Sequence, residues 1–147
     1  MTANGSTGML VKGLDHVTIR VHPDQVDAMR AFYADLLGLA VGPRPLTFPG
    51  AWLYLGDRAL VHIAGNLTDA VAHAAPKEVA GFDHIAFQSQ DLAAAKARLD
   101  AAGIAWHEVW RPHLDILQIV LHDPVGMKLE LTFDPAEHPD RLHPSGQ

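Results

Sequence analysis

Two stretches of this chain match where chemistry could occur. Residues 13–19 read Gly-Leu-Asp-His-Val-Thr-Ile, and residues 81–87 read Gly-Phe-Asp-His-Ile-Ala-Phe. Glycine, aspartate and histidine recur at the same places, and the apolar positions agree in kind. From His16 to His84 the offset is 68 residues; the same offset carries His62 onto Glu130. Imidazole and carboxylate are both metal donors. Two candidate ligands in the first half thus stand in register with two in the second. A supersecondary unit used twice produces such a repeat, and the expectation is that the two units face each other and hold a divalent metal between them.

The elements that must position these residues can be read from periodicity. Leu14 to Val21 alternates, with His16, Thr18 and Arg20 on one face and Val17, Ile19 and Val21 on the other. That pattern is a strand with one apolar and one mixed face. Pro23 and Asp24 open a helix, whose stripe is Val26, Met29, Phe32, Tyr33, Leu36 and Leu37; Gly38 is the expected stop. Phe32 and Tyr33 read as core. A strand over 39–48, interrupted by two prolines, is expected at a sheet edge. Strands follow at 51–55 and 58–64, the second with Leu60, His62 and Ala64 on one face. The second unit repeats the order: a strand at 81–90, a helix from the Asp91 cap to about 102, then strands at 104–111, 117–122 and 127–133. A turn at 123–126 precedes the last of these, and Lys128, Glu130 and Thr132 share a face of it. The first 10 residues read as disordered, 66–80 as a linker, and 135–147 as a tail. The domain is therefore expected over 11–134, as two modules at 11–66 and 81–134.

Composition excludes several classes. The chain has 147 residues, 48% hydrophobic and 19% charged, which suits one globular domain. A net charge of -6 with no basic stripe argues against a nucleic-acid partner. The absence of cysteine removes disulfides and thiolate chemistry. No apolar run approaches the roughly 20 residues that cross a bilayer, and the start lacks the regions of a signal peptide. The expected location is the cytoplasm.

With these residues in hand, the sequence resembles the vicinal oxygen chelate superfamily: glyoxalase I, fosfomycin and bleomycin resistance proteins, methylmalonyl-CoA epimerase and extradiol dioxygenases. The resemblance covers roughly residues 12–134. It rests on Gly-x-Asp-His at the head of each unit and on the closing run His122-Asp123-Pro124-Val125-Gly126-Met127-Lys128-Leu129-Glu130-Leu131. Gly50 to Tyr54, Val61-His62-Ile63, and Arg111-Pro112 leading to Gln118 resemble a glyoxalase-like subgroup. The resemblance implies an α+β fold of two βαβββ units related by a pseudo-twofold axis, with curled mixed β-sheets forming a metal-binding cleft. Carried over by position, the ligands are His16, His62, His84 and Glu130, with His62 and Glu130 also as catalytic groups. The implied cofactor is one divalent transition metal, Fe, Mn, Ni, Co or Zn. The implied partners are a small-molecule substrate and a second copy in a homodimer, the site forming within one chain or across two.

His62 is a fourth ligand, a group supporting a ligand, or a substrate contact. Glyoxalase I typically has glutamate at that position and the epimerase glutamine, so this chain departs from both. Without His62, the set His16, His84 and Glu130 is that of extradiol dioxygenases and fosfomycin resistance enzymes. Trp52 and Tyr54 read as an aromatic wall for substrate, and His113 and Gln118 as polar contacts near its mouth. Arg20 and Lys128 read as solvated charges, His122 as a turn residue, and His22, His73, His107, His138 and His143 as surface residues. Three functions fit: a metal-dependent lyase or isomerase, an Fe(II) extradiol-type dioxygenase, and a non-enzymatic small-molecule binding protein of the bleomycin-resistance kind.

Overall fold

A computed structural model describes residues 13–68 and 84–141. The expectations of a disordered start, a linker after 68 and a tail end beyond 141 lie outside the described residues, as do His73 and His143. The first unit runs β1 (Val17–Val21), a short 3-10 turn Pro23–Gln25, α1 (Val26–Ala31), β2 (Ala40–Gly42), β3 (Gly50–Leu55) and β4 (Arg58–Gly65). The second runs β5 (His84–Gln88), α2 (Leu92–Ala101), β6 (Trp106–Arg111), β7 (Ile116–His122) and β8 (Lys128–Thr132). Among the described residues, no helix is long and apolar enough to cross a membrane.

The repeat extends to the hydrogen-bond register. β1 pairs parallel with β4, setting Thr18 opposite His62; β5 pairs parallel with β8, setting Ala86 opposite Glu130. Each of these pairs in one unit maps onto a pair in the other at the same offset. On β3–β4 and β7–β8, Trp52 faces His62 where Val120 faces Glu130.

The two pseudo-symmetric units are present, but the expected curled sheets forming a metal-binding cleft are not. Each unit is an open four-stranded sheet, ordered β1-β4-β3-β2 or β5-β8-β7-β6, and among the described residues no strand of one pairs with a strand of the other. The local reason in the first sheet is β2. It covers three residues rather than the expected 39–48, because Pro43 and Pro45 cannot donate to a ladder. Such a short edge strand cannot carry the sheet round.

Sequence chemistry explains which face is buried. Ile19, Val21, Leu53, Val61 and Ile63 join Met29, Phe32 and Tyr33 beneath the first sheet. Leu117, Ile119, Leu121, Leu129 and Leu131 join Leu92 and Leu99 beneath the second, in the same continuous core. After α1 the chain widens into a π-helical turn, Phe32–Leu36. Leu37 N–H donates to Phe32 O at 3.1 Å, and Gly38 ends the run at φ +85°, a left-handed conformation that favours glycine. Asp91 caps α2, accepting from Ala94 N–H at 3.0 Å.

One polar contact ties the halves together inside this core. Tyr33 O–H donates to Asp123 Oδ2 at 2.9 Å, and both residues are buried. Asp123 Oδ1 accepts from the N–H groups of Val125 and Met127, which shapes the β7–β8 turn. Burial, followed by the neighbouring Asp123 charge, pushes the Tyr33 hydroxyl far above its usual range. Burial also raises the Asp123 carboxyl, against the hydrogen bonds that favour its ionised form.

Candidate metal centre

The face of each sheet opposite the core carries the candidate ligands. On the first, His16 follows Asp15 in the segment leading into β1. Its Nδ1 lies 2.7 Å from Asp15 Oδ2. A carboxylate only accepts, so Nδ1 carries the proton, and in the neutral ring Nε2 is the nitrogen open to a metal. The His16 bond, followed by the His16 charge, holds the Asp15 carboxyl below its usual range. A carboxylate behind an imidazole fixes the tautomer and raises the basicity of the other nitrogen, as metal-bound histidines require.

His62 is built differently. The register shifts between Leu53 and Tyr54: Leu53 pairs with Val61 and Tyr54 with Ala59, leaving Leu60 as the extra residue of a bulge. Ala59 O accepts from His62 Nε2 at 3.0 Å, which places the proton on Nε2 and leaves Nδ1 bare. The imidazole is sandwiched, with His16 stacked at 4.1 Å on one contact and Trp52 at 4.2 Å on another. Burial, then the positive charge His16 can carry, lowers the His62 pKa; the Arg44 guanidinium adds to this. A cavity of about 630 Å³ opens beside the stack, lined by Asp15, His16, Trp52, Arg58 and His62 among others. Arg58, part of that lining, donates to Leu14 O and Asp15 O.

On the second sheet, His84 Nε2 lies 3.4 Å from Glu130 Oε2. Two donors sharing one first-row ion, each bound at roughly 2.1 Å, stand about this far apart. Glu130 is also held by Gln118, whose Nε2 donates to Glu130 Oε2 at 2.8 Å and to Thr132 Oγ1 at 3.2 Å.

The donor chemistry of His16, His84 and Glu130 therefore fits a divalent transition metal, whereas His62 as placed offers only Nδ1. The four residues do not converge within one chain: among the described residues, no group of three or more His, Asp or Glu side chains is placed to hold an ion. The fold brings together His16 with His62, and His84 with Glu130, as two pairs on two sheets.

The remaining expectations divide. Trp52 lines the cavity, while Tyr54 is turned to a structural use. Its hydroxyl donates to Pro43 O at 2.6 Å, and its ring fills the space where Gly42 lacks a Cβ. Gln118 touches a candidate ligand. His113 is exposed in the turn Pro112–Leu114, and Arg20 is bonded to Asn66. His138, expected on the surface, is 7% exposed; it stacks on Trp110 at 4.2 Å and meets Glu108 Oε1 at 3.2 Å. Sequence reading missed the roles of Asp15 and Arg44. The first had a signal in the repeated Gly-x-Asp-His; the second had none.

The chain belongs to the glyoxalase/bleomycin resistance protein/dioxygenase superfamily, whose sequence model matches residues 13–131. Among solved structures it is similar to a glyoxalase-family protein from Bacillus anthracis, at 24% identity and a TM-score of 0.67 over 84% of this chain and 96% of that one. It is also similar to a lactoylglutathione lyase from Agrobacterium tumefaciens (20% identity, TM-score 0.61, 88% and 98% covered). A third is an antibiotic-binding protein from a Streptomyces species (16% identity, TM-score 0.62, 86% and 98% covered). No curated protein matches the chain.

Proposed function

We propose that the protein is a divalent-metal-dependent lyase or isomerase acting on a small substrate with two neighbouring oxygens. His16, His84 and Glu130 hold the ion, and His62 stands beside them as a fourth ligand or as the group that accepts a proton at its bare Nδ1. The carrying observation is the pair His84–Glu130, with donor atoms 3.4 Å apart, standing at the repeat offset from the stacked pair His16–His62. The ion, which Fe, Mn, Ni, Co or Zn could each provide, supplies Lewis acidity toward the substrate oxygens. The chain's own residues do the rest. Gln118 fixes the orientation of Glu130, and Trp52 offers a flat wall. Because the two pairs lie on separate sheets, the set is completed by a second copy, with His16 and His62 of one chain meeting the other's second pair. The likeness to a lactoylglutathione lyase supports this reading at the level of fold.

The test is metal content in the wild type, in His16→Ala and in Glu130→Ala, with the two variants also refolded as a mixture. The wild type should retain a transition metal and each variant should lose it. The mixture should regain about a quarter of the wild-type content, since a mixed pair carries one intact set. A wild type that neither holds nor takes up metal would refute the reading and leave a small-molecule binding protein on this fold. A mixture that regains nothing would refute the shared site.

One observation favours a second reading. The His62–Ala59 bond leaves His16, His84 and Glu130 as a two-histidine, one-carboxylate set, which suits Fe(II) oxygen chemistry. Oxygen uptake with a catechol, dependent on Fe(II), would place the protein with the ring-cleaving dioxygenases.

A further inference from the structure

Arg44 lies in the loop between β2 and β3, flanked by Pro43 and Pro45. Its Nη1 donates to Leu46 O at 3.2 Å and to Phe48 O at 2.6 Å, and its Cζ lies 4.4 Å from the Phe48 ring centre. The guanidinium and its loop therefore form one unit. Nε and Nη2 are buried and have no hydrogen-bond partner among the described residues. No carboxylate pairs with Arg44 among the described residues.

The position of this cation is informative. A Cβ added at Gly50 would lie 2.7 Å from Arg44 Nη2, so the guanidinium occupies the space above Gly50. Gly50 pairs with Ala64, two residues along β3 and β4 from Trp52 and His62. That is the polar face of the first sheet. The repeat carries Gly50 onto Gln118, and the pair Gly50–Ala64 onto Gln118–Thr132. In the second unit this place holds an N–H donor that meets a carboxylate, Glu130. In the first unit a stronger donor stands in the same place beside His62, and no anion meets it. A buried guanidinium edge without an acceptor is costly, and the Nε–Nη2 edge is a geometry that grips a carboxylate with two parallel bonds.

We propose that Arg44 is the anion-binding residue of this site, that the substrate carries a carboxylate, and that this group is held by Nε and Nη2. The inference rests on the reading of this face as a substrate site, and it needs no metal.

Arginine Nε–H signals of metal-free, full-length protein report it directly. The probes are pyruvate, succinate and benzoate, with methyl pyruvate as the uncharged control; the signal lost in Arg44→Lys identifies Arg44. At least one carboxylate should shift the Arg44 signal saturably. The ester should bind roughly tenfold more weakly than pyruvate or not at all, and Arg44→Gln should lose a similar factor for the carboxylate. If no carboxylate moves the Arg44 signal, or acid and ester act alike, the inference falls. The ester comparison is made in the wild type, so it holds even if the variants fold poorly. Metal content of the protein as purified, and again after the metal-free preparation is reloaded with Co(II), separates the two claims. Retained metal without carboxylate binding refutes only this inference, whereas carboxylate binding by a chain that takes up no metal refutes only the metal site.

Discussion

At the scale of single residues, Asp15 decides what His16 can do. With Oδ2 2.7 Å from Nδ1, it favours the tautomer that leaves Nε2 open to a metal and orients the ring. An Asp15→Asn substitution retains size but loses the charge and the certainty of the tautomer. Metal affinity, measured by Co(II) titration against a competing chelator, should fall about 10- to 100-fold with little change in thermal stability. The placing of His16 beside His62 and of His84 beside Glu130 was legible because a repeat marks positions whatever their neighbours do. The service each neighbour performs was not. Asp15 was visible as a motif residue, but its bond depends on a rotamer. The contact of Arg44 with Gly50 depends on the path of a proline-bounded loop, which local pattern does not encode.

At the scale of elements, period-two and helical patterning placed most strands and helices within a few residues, the exception being β2, expected over 39–48 and observed at Ala40–Gly42. Side chains from elsewhere add contacts that local pattern does not encode. The segment after β8 is the clearest case. Read as a tail, it folds into two short turns, Pro135–Glu137 and Pro139–Arg141. Glu137 Oε2 accepts from Leu92 N–H at 2.6 Å, at the start of α2. His138 lies against Trp110, and Glu108 sits between it and Lys96. Burial works against the Glu108 charge, but Lys96 and then His138 overcome it and hold the carboxyl below its ordinary value of 4.5. A carboxyl depressed by folding contributes stability that is present above its unfolded value and lost as pH falls through the folded one. Glu108→Gln should therefore cost about 1 kcal/mol near neutral pH. The difference from wild type should shrink as pH drops below 4.5, as followed by thermal unfolding across pH.

At the scale of the whole molecule, the two units share one core, and the Tyr33–Asp123 bond crosses between them. Tyr33→Phe leaves Asp123 Oδ2 buried without its hydroxyl donor, and denaturant unfolding should show a loss of about 1–3 kcal/mol. A loss near zero would mean that water replaces the hydroxyl. Pseudo-symmetry was readable because the offset of the candidate ligands is the offset of the ladders. Closure of the sheets was not, because it depends on which surfaces the units bury against each other: the second sheet is as open as the first although its edge strand, β6, has six residues.

The row of rings on the first sheet has a spectroscopic consequence. Trp52 lies face to face with His62, 4.2 Å away and tilted by 15°, while the other two tryptophans, Trp106 and Trp110, stand on β6 of the second sheet. An excited indole gives up an electron to a stacked imidazolium far more readily than to a neutral imidazole. Emission from Trp52 is thus a built-in gauge of what happens to its neighbour, dim when the ring is charged and bright when it is not. The protein carries its own dye at the place where its chemistry is proposed to occur.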